Sequence, residues 1–102
     1  MFIMTWFRER RRVRMFAGAM RDTAVKQFNE GQMETALYAK VVTATENPKT
    51  MRALMRQTEL EPGLYGGIMD WDWEAILKWV EEYFIPLVKL LLPLILLLDE
   101  EE

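Results

Sequence analysis

The residues best suited to chemistry are five arginines near the start of the chain. The stretch FRERRRVR spans residues 7–14 and supplies Arg8, Arg10, Arg11, Arg12 and Arg14. Guanidinium groups bind phosphate oxygens through paired hydrogen bonds, and beside apolar side chains they hold a helix on anionic lipid. Five arginines without a base-reading motif support specific nucleic-acid binding only weakly. We predict that these arginines contact anionic lipid or phosphate. The alternative is that they are solvated and only set the orientation of the chain relative to a membrane.

Other chemistry is poorly represented. The chain has neither His nor Cys, which excludes disulfides, thiolate chemistry, His-based catalysis and the usual zinc sites. The acids of DWDWE (70–74) alternate as in a calcium loop, but Ala75 stands where such a loop needs Gly. These acids fit better as caps at a helix N-terminus. We therefore expect no enzyme activity, no metal and no cofactor.

Charge is divided unevenly along the chain. Residues 1–60 hold eleven Lys and Arg against six Asp and Glu, whereas residues 61–102 hold two Lys against ten acids. Such an asymmetry points to a membrane or to nucleic acid, although two solvated surfaces of opposite sign would also produce it.

Helical periodicity predicts an all-α chain whose first 60 residues form short basic helices. We expect a pause at Gly18 or Gly31, because Gly inside a helix costs about 1 kcal/mol relative to Ala. Asn47 and Pro48 predict a helix start, since Asn caps the first turn and Pro has no N–H to leave unsatisfied.

A loop is expected at residues 61–69, which hold three of the five glycines. Residues 54–68 have the outline of a helix-turn-helix unit. Gly66 and Gly67 would then lie inside the recognition helix at a cost of about 2 kcal/mol, so the loop is favoured.

One long helix is predicted over residues 70–102, beginning at a cap on Asp70 or Asp72. An apolar seam with alternating spacings of four and three residues runs along it. The seam consists of Met69, Trp73, Ile76, Val80, Tyr83, Leu87, Leu90, Leu94 and Leu97. After Tyr83 the helix is apolar nearly all round, which indicates lipid or deep burial. A chain of 102 residues has little room for a self-sufficient globular core, so lipid is favoured.

We predict a membrane segment over residues 83–98, followed by an acidic tail. The segment consists of Tyr83, Phe84, Ile85, Pro86, Leu87, Val88, Lys89, Leu90, Leu91, Leu92, Pro93, Leu94, Ile95, Leu96, Leu97 and Leu98. On its N-terminal side, Trp71, Trp73 and Trp79 are expected at the membrane interface.

The predicted span is marginal. Its sixteen residues reach about 24 Å, against about 30 Å of hydrocarbon. Lys89, Pro86 and Pro93 all oppose insertion. Partner helices would therefore be needed, and the alternatives are interfacial binding and a soluble, obligately oligomeric helix. Lys89 either faces a partner or a water-filled lumen, or extends to the headgroups without a role.

Most basic residues precede the segment, so the positive-inside rule puts the N-terminus in the cytoplasm or inside a lipid-containing virion. We expect a small, tail-anchored structural or adaptor subunit of a larger membrane-associated assembly. Its expected partners are the lipid bilayer and other copies or other membrane helices along the Met69–Leu97 seam. One alternative is a membrane-active pore or lysis protein, and another is a membrane-tethered nucleic-acid-binding module.

Overall fold

Five helices form the part of the chain that the computed structural model describes. This part comprises the backbone of residues 2–60 and 72–100, with side chains for residues 10–58 and 72–96. The helices are α1 (Phe2–Asn29), α2 (Thr35–Thr45), α3 (Pro48–Leu60), α4 (Trp73–Glu82) and α5 (Phe84–Glu100). No strand occurs in these ranges, so the predicted all-α class is confirmed. The expected loop at 61–69, Trp71 and the end of the acidic tail lie outside the described residues.

Helix α1 is a single element of 28 residues rather than a set of short helices. It continues through Gly18 and ends at Asn29, before a turn at Gly31, whose φ is +75°. The N–H of Gln32 bonds the carbonyl of Gln27 at 2.8 Å, which satisfies a carbonyl of the last helical turn. Gly adopts this left-handed conformation without a Cβ penalty, and so the pause falls at the second of the two expected positions.

Side-chain caps begin α3 and α4 where the sequence suggests. The Oδ1 atom of Asn47 accepts hydrogen bonds from the backbone N–H groups of Lys49 at 3.0 Å and Thr50 at 3.4 Å. Asp72 accepts from the N–H of Ala75 at 2.9 Å. Each cap satisfies a helical N–H that has no partner within its own helix. The predicted helix starts at Asn47-Pro48 and Asp72 are therefore confirmed.

The predicted single helix over 70–102 is wrong, because the chain leaves the helical conformation at Tyr83. Tyr83 has φ −107° and ψ 22° and ends α4, and its carbonyl accepts the N–H of Leu87 at 3.0 Å. Pro86 accounts for the break, since it has no N–H to bond Glu82 and its ring clashes with a helical carbonyl four residues earlier. In the first turn of a new helix, that missing N–H is harmless.

A buried apolar cluster joins all five helices, contrary to the expectation that the chain lacks a core of its own. It contains Val13, Phe16, Ala19, Met20, Ala24, Val41, Ala44, Met51, Leu54, Ile76, Val80, Phe84, Leu87, Val88 and Leu91. Helix α1 packs mainly on α4 and α2, whereas α5 packs mainly on α3. The Cα radius of gyration is 13.4 Å, against about 13 Å for a folded domain of 100 residues.

The predicted membrane span over 83–98 finds no support. None of the five helices, over the residues that the structure describes, is both long enough and apolar enough for a membrane crossing. The break at Tyr83 limits α5 to 17 residues, and its sequence ends in two acids. Phe84, Leu87 and Leu91 are buried within the protein itself.

Truncating two leucines of α5 should distinguish its buried face from its outer face. Leu87 has no exposed surface and Leu96 is 68% exposed. We expect Leu87→Ala to lower the free energy of unfolding by about 2–5 kcal/mol, because it leaves a cavity in the core. Leu96→Ala is the matched control and should change it by less than about 0.5 kcal/mol. Urea unfolding of dilute, detergent-free protein, followed by circular dichroism, measures both; equal effects would show that α5 is not packed on the core.

Candidate anion-binding cleft

Arginines from two helices line a cleft beside the first turn of α3. The cleft has a volume of about 170 Å³. Its lining comes from three helices: Arg10, Val13, Arg14 and Ala17 of α1, Thr45 of α2, and Pro48, Met51 and Arg52 of α3. None of these described lining residues is acidic. We call this feature the arginine cleft.

Helical spacing brings the arginines of α1 to the cleft. Arg10 and Arg14 are four residues apart and therefore lie one above the other on the same side of α1. Val13 and Met51 belong to the buried core and are 6% and 0% exposed. Their burial holds α1 against α3, so two arginines of one helix face a third, Arg52, on the other.

The start of α3 adds a favourable potential for anions. Pro48 is the first residue of α3 and lies in the cleft lining. Partial positive charge at a helix N-terminus stabilises a nearby anion. Asn47 already occupies the N–H groups of Lys49 and Thr50. The direct hydrogen bonds to an anion would therefore come from guanidinium groups, with the helix contributing through its dipole.

This arrangement suits a phosphate group better than a carboxylate. A phosphate monoester presents three terminal oxygens and nearly two negative charges at neutral pH, so it can engage more than one guanidinium fork. A phosphodiester presents two terminal oxygens and one negative charge. Arg10 and Arg14 of α1 and Arg52 of α3 line the arginine cleft together with apolar side chains. Such a lining accepts a phosphate together with the apolar atoms attached to it.

The structure brings together only some of the predicted arginines. Arg10 and Arg14 line the cleft. Arg11, which is exposed, and Arg12, which is half-buried, are not among its lining residues. The side chain of Arg8 lies outside the described residues. Arg52 was missed because it follows the arginine cluster by 38 residues. Its position one turn after the Asn47-Pro48 helix start is the only sequence signal near it.

Trp73 and Trp79, two of the three tryptophans predicted at a membrane interface, make contacts inside the protein, and Trp71 lies outside the described residues. The ring centroid of Trp79 lies 6.2 Å from that of Phe16 and 5.8 Å from that of Tyr83. Trp73 is 38% exposed and lies against Gly18, where an added Cβ would come within 3.3 Å of its ring. These contacts fix α4 on α1.

The residues predicted as the membrane segment divide between the two faces of α5. Phe84, Leu87, Val88 and Leu91 are buried, and Leu90, Leu92, Leu94 and Ile95 are half-buried, as is Tyr83 at the helix break. Ile85, Pro86, Lys89, Pro93 and Leu96 are exposed. The side chains of Leu97 and Leu98 lie outside the described residues. Of the Met69–Leu97 seam, Ile76, Val80 and Leu87 are buried inside the protein.

Across the described ranges, no group of three His, Cys, Asp or Glu residues is placed to hold a metal ion.

Pyrophosphate should stabilise the folded protein through the arginine cleft. An anion that binds only the folded state raises the melting temperature, and about 1 kcal/mol of stabilisation shifts Tm by roughly 4–8 °C in a domain of this size. We expect saturating pyrophosphate to raise Tm by at least about 4 °C over sodium chloride of equal ionic strength. Arg14→Gln should lose at least half of that rise, whereas Lys40→Gln on α2 should keep it. Equal rises in both variants would place the anion elsewhere.

Comparison with known proteins assigns the chain to no family: no family model matches it, and the searches of curated proteins and of solved structures found no similar protein.

Proposed function

We propose that the protein is a non-enzymatic adaptor that attaches peripherally to an anionic membrane surface through the arginine cleft. The observation that carries the proposal is the convergence of Arg10 and Arg14 of α1 with Arg52 of α3 on one cleft, where none of the described lining residues is acidic. Anionic phospholipids present phosphate groups together with a net negative surface charge, and each basic residue near such a surface contributes about 1 kcal/mol of attraction.

The register of α1 favours lipid over a free phosphate or a nucleic acid. Positions 3, 7, 10 and 14 follow a four–three–four spacing, so they share one side of the helix. Ile3 and Phe7 thereby precede Arg10 and Arg14 on the same stripe. An apolar and aromatic turn followed by basic turns is typical of helices that lie in a membrane interface. Anionic lipids are concentrated in the cytoplasmic leaflet, so we place the protein there or on the inner surface of a lipid-containing particle.

The adaptor role rests on the separation between this cleft and the outer face of α5. No residue of α5 belongs to the described lining of the arginine cleft. Ile85 and Leu96 remain 65% and 68% exposed on α5. We infer that this apolar face of α5 is the surface that contacts another protein. Lipid contact and protein contact would then use different surfaces, as a subunit that links an assembly to a membrane requires.

Sedimentation with lipid vesicles tests the attachment. Wild-type protein should bind phosphatidylcholine vesicles containing phosphatidylserine and should bind pure phosphatidylcholine vesicles weakly. Arg14→Glu removes one positive charge and adds a negative one at the cleft, so binding should weaken by about 2 kcal/mol, or roughly thirtyfold. Lys40→Glu changes the net charge equally on α2 and should weaken binding by no more than about threefold.

Three results would contradict the proposal. One is equal loss of vesicle binding in Arg14→Glu and Lys40→Glu, which would reduce the effect to net charge. Another is binding that ignores phosphatidylserine. The last is tighter binding to an oligonucleotide than to anionic vesicles at the same salt concentration, which would favour the nucleic-acid-binding alternative.

A further inference from the structure

The outer face of α5 carries an exposed stripe with an unusual composition. Ile85, Lys89, Leu92 and Leu96 recur every three or four residues and so align along one side of the helix. Ile85, Lys89 and Leu96 are exposed, and Leu92 is half-buried. We call these four residues the outer stripe. Its apolar residues favour contact with another molecule. Lys89 requires that this molecule also supply a negative charge.

The charges of α5 are arranged in a self-complementary pattern. Lys89 is the only charged residue from Phe84 to Leu98, and Asp99 and Glu100 follow directly. Glu100 comes eleven residues after Lys89, which is about three helical turns, and the helical backbone extends to Glu100. The helical register therefore aligns the position of Glu100 with that of Lys89, so the sequence provides a cation near the start of the stripe and an acid at its end.

We propose that a second copy of this chain covers the outer stripe from Lys89 to Leu96, with the two α5 helices antiparallel about a two-fold axis. In a two-fold contact, if residue i of one copy contacts residue j of the other, then residue j of the first copy contacts residue i of the second. Opposing Lys89 to Glu100 of the second copy therefore forms the same ion pair twice. This register also opposes Pro93 to Leu96, so both copies cover their exposed leucine.

Charge selects a second copy over the other occupants of an apolar stripe. A neutral apolar partner would cover Lys89 without supplying a counter-charge, which is costly for a desolvated ammonium. An anionic lipid surface would accommodate Lys89, but it would repel Asp99 and Glu100 at the end of the same helix. The second copy supplies a carboxylate to each lysine and an apolar surface to each leucine.

The same register predicts that substitutions at Leu96 and Ile85, which are similarly exposed, affect dimerisation differently. Leu96 lies inside the proposed contact, whereas Ile85 lies opposite a point beyond the end of α5 in the second copy. Both side chains are about two-thirds exposed, so aspartate at either position should leave the fold intact. The pair therefore separates this dimer from a general loss of surface hydrophobicity.

Sedimentation equilibrium of the full chain without lipid tests the dimer. We expect wild type to associate with a dissociation constant of about 1–100 μM. Leu96→Asp should weaken association at least about tenfold, whereas Ile85→Asp should leave it within about twofold. Far-UV circular dichroism checks that each variant retains its helices.

A charge exchange tests the register itself. Lys89→Glu should weaken association by about tenfold, because two like-charged contacts replace two ion pairs. Adding Asp99→Lys and Glu100→Lys to it should return the dissociation constant to within about threefold of wild type. Three results would overturn the proposal: a monomer up to about 100 μM, equal effects of Leu96→Asp and Ile85→Asp, or no recovery in the combined variant. A monomer that binds vesicles through Leu96 would assign the stripe to lipid instead.

Discussion

The packing of α5 against α3 is the constraint on which the rest of the structure depends. Helix α5 is the most apolar element of the chain, and water cannot surround it without a large cost in hydration free energy. Phe84, Leu87, Val88 and Leu91 remove one side of it from water by joining the core. That contact requires the chain to change direction at Tyr83, which Pro86 makes possible by starting a new helix. The opposite side of α5, which carries Ile85, Lys89 and Leu96, remains exposed.

The arginine cleft follows from the same core. Val13 and Met51 are buried in the cluster that also holds α5, and their burial sets α1 beside the first turn of α3. Arg10, Arg14 and Arg52 meet only because that packing exists. A folded core is therefore a precondition for the proposed anion site, because Arg10 and Arg14 belong to a helix packed on that core.

Local rules recovered much of the helical framework. Asn47, Asp72 and Gly31 were identifiable because capping and positive φ depend on residue type within a few positions. The sequence alone does not separate a membrane span from a buried helix, because apolarity does not distinguish lipid from a protein core, and this small chain does bury a core of its own. Pro86 carried the information that corrects this error, since a proline three residues after Tyr83 favours a new helix start over a continuous helix.

The candidate site was only half predictable, for a different reason. Arg10 and Arg14 stand out in a dense cluster, but nothing local to Arg52 shows that it faces them. Their proximity depends on the angle at which α1 meets α3, and that angle follows from core packing across 38 residues of sequence. The outer stripe of α5 likewise became visible only once the buried face of that helix was known.

Amide hydrogen exchange, measured with and without anionic vesicles, tests the central claim most directly. The claim is that α5 belongs to the folded core and stays there when the protein meets a membrane. The amides of Leu87 and Leu91 should then be as protected in water as those of Phe16 and Met20 in α1, and vesicles should leave that protection unchanged. Rapid exchange at Leu87 and Leu91 in water, followed by protection only after vesicles are added, would contradict the account and restore an inserted helix.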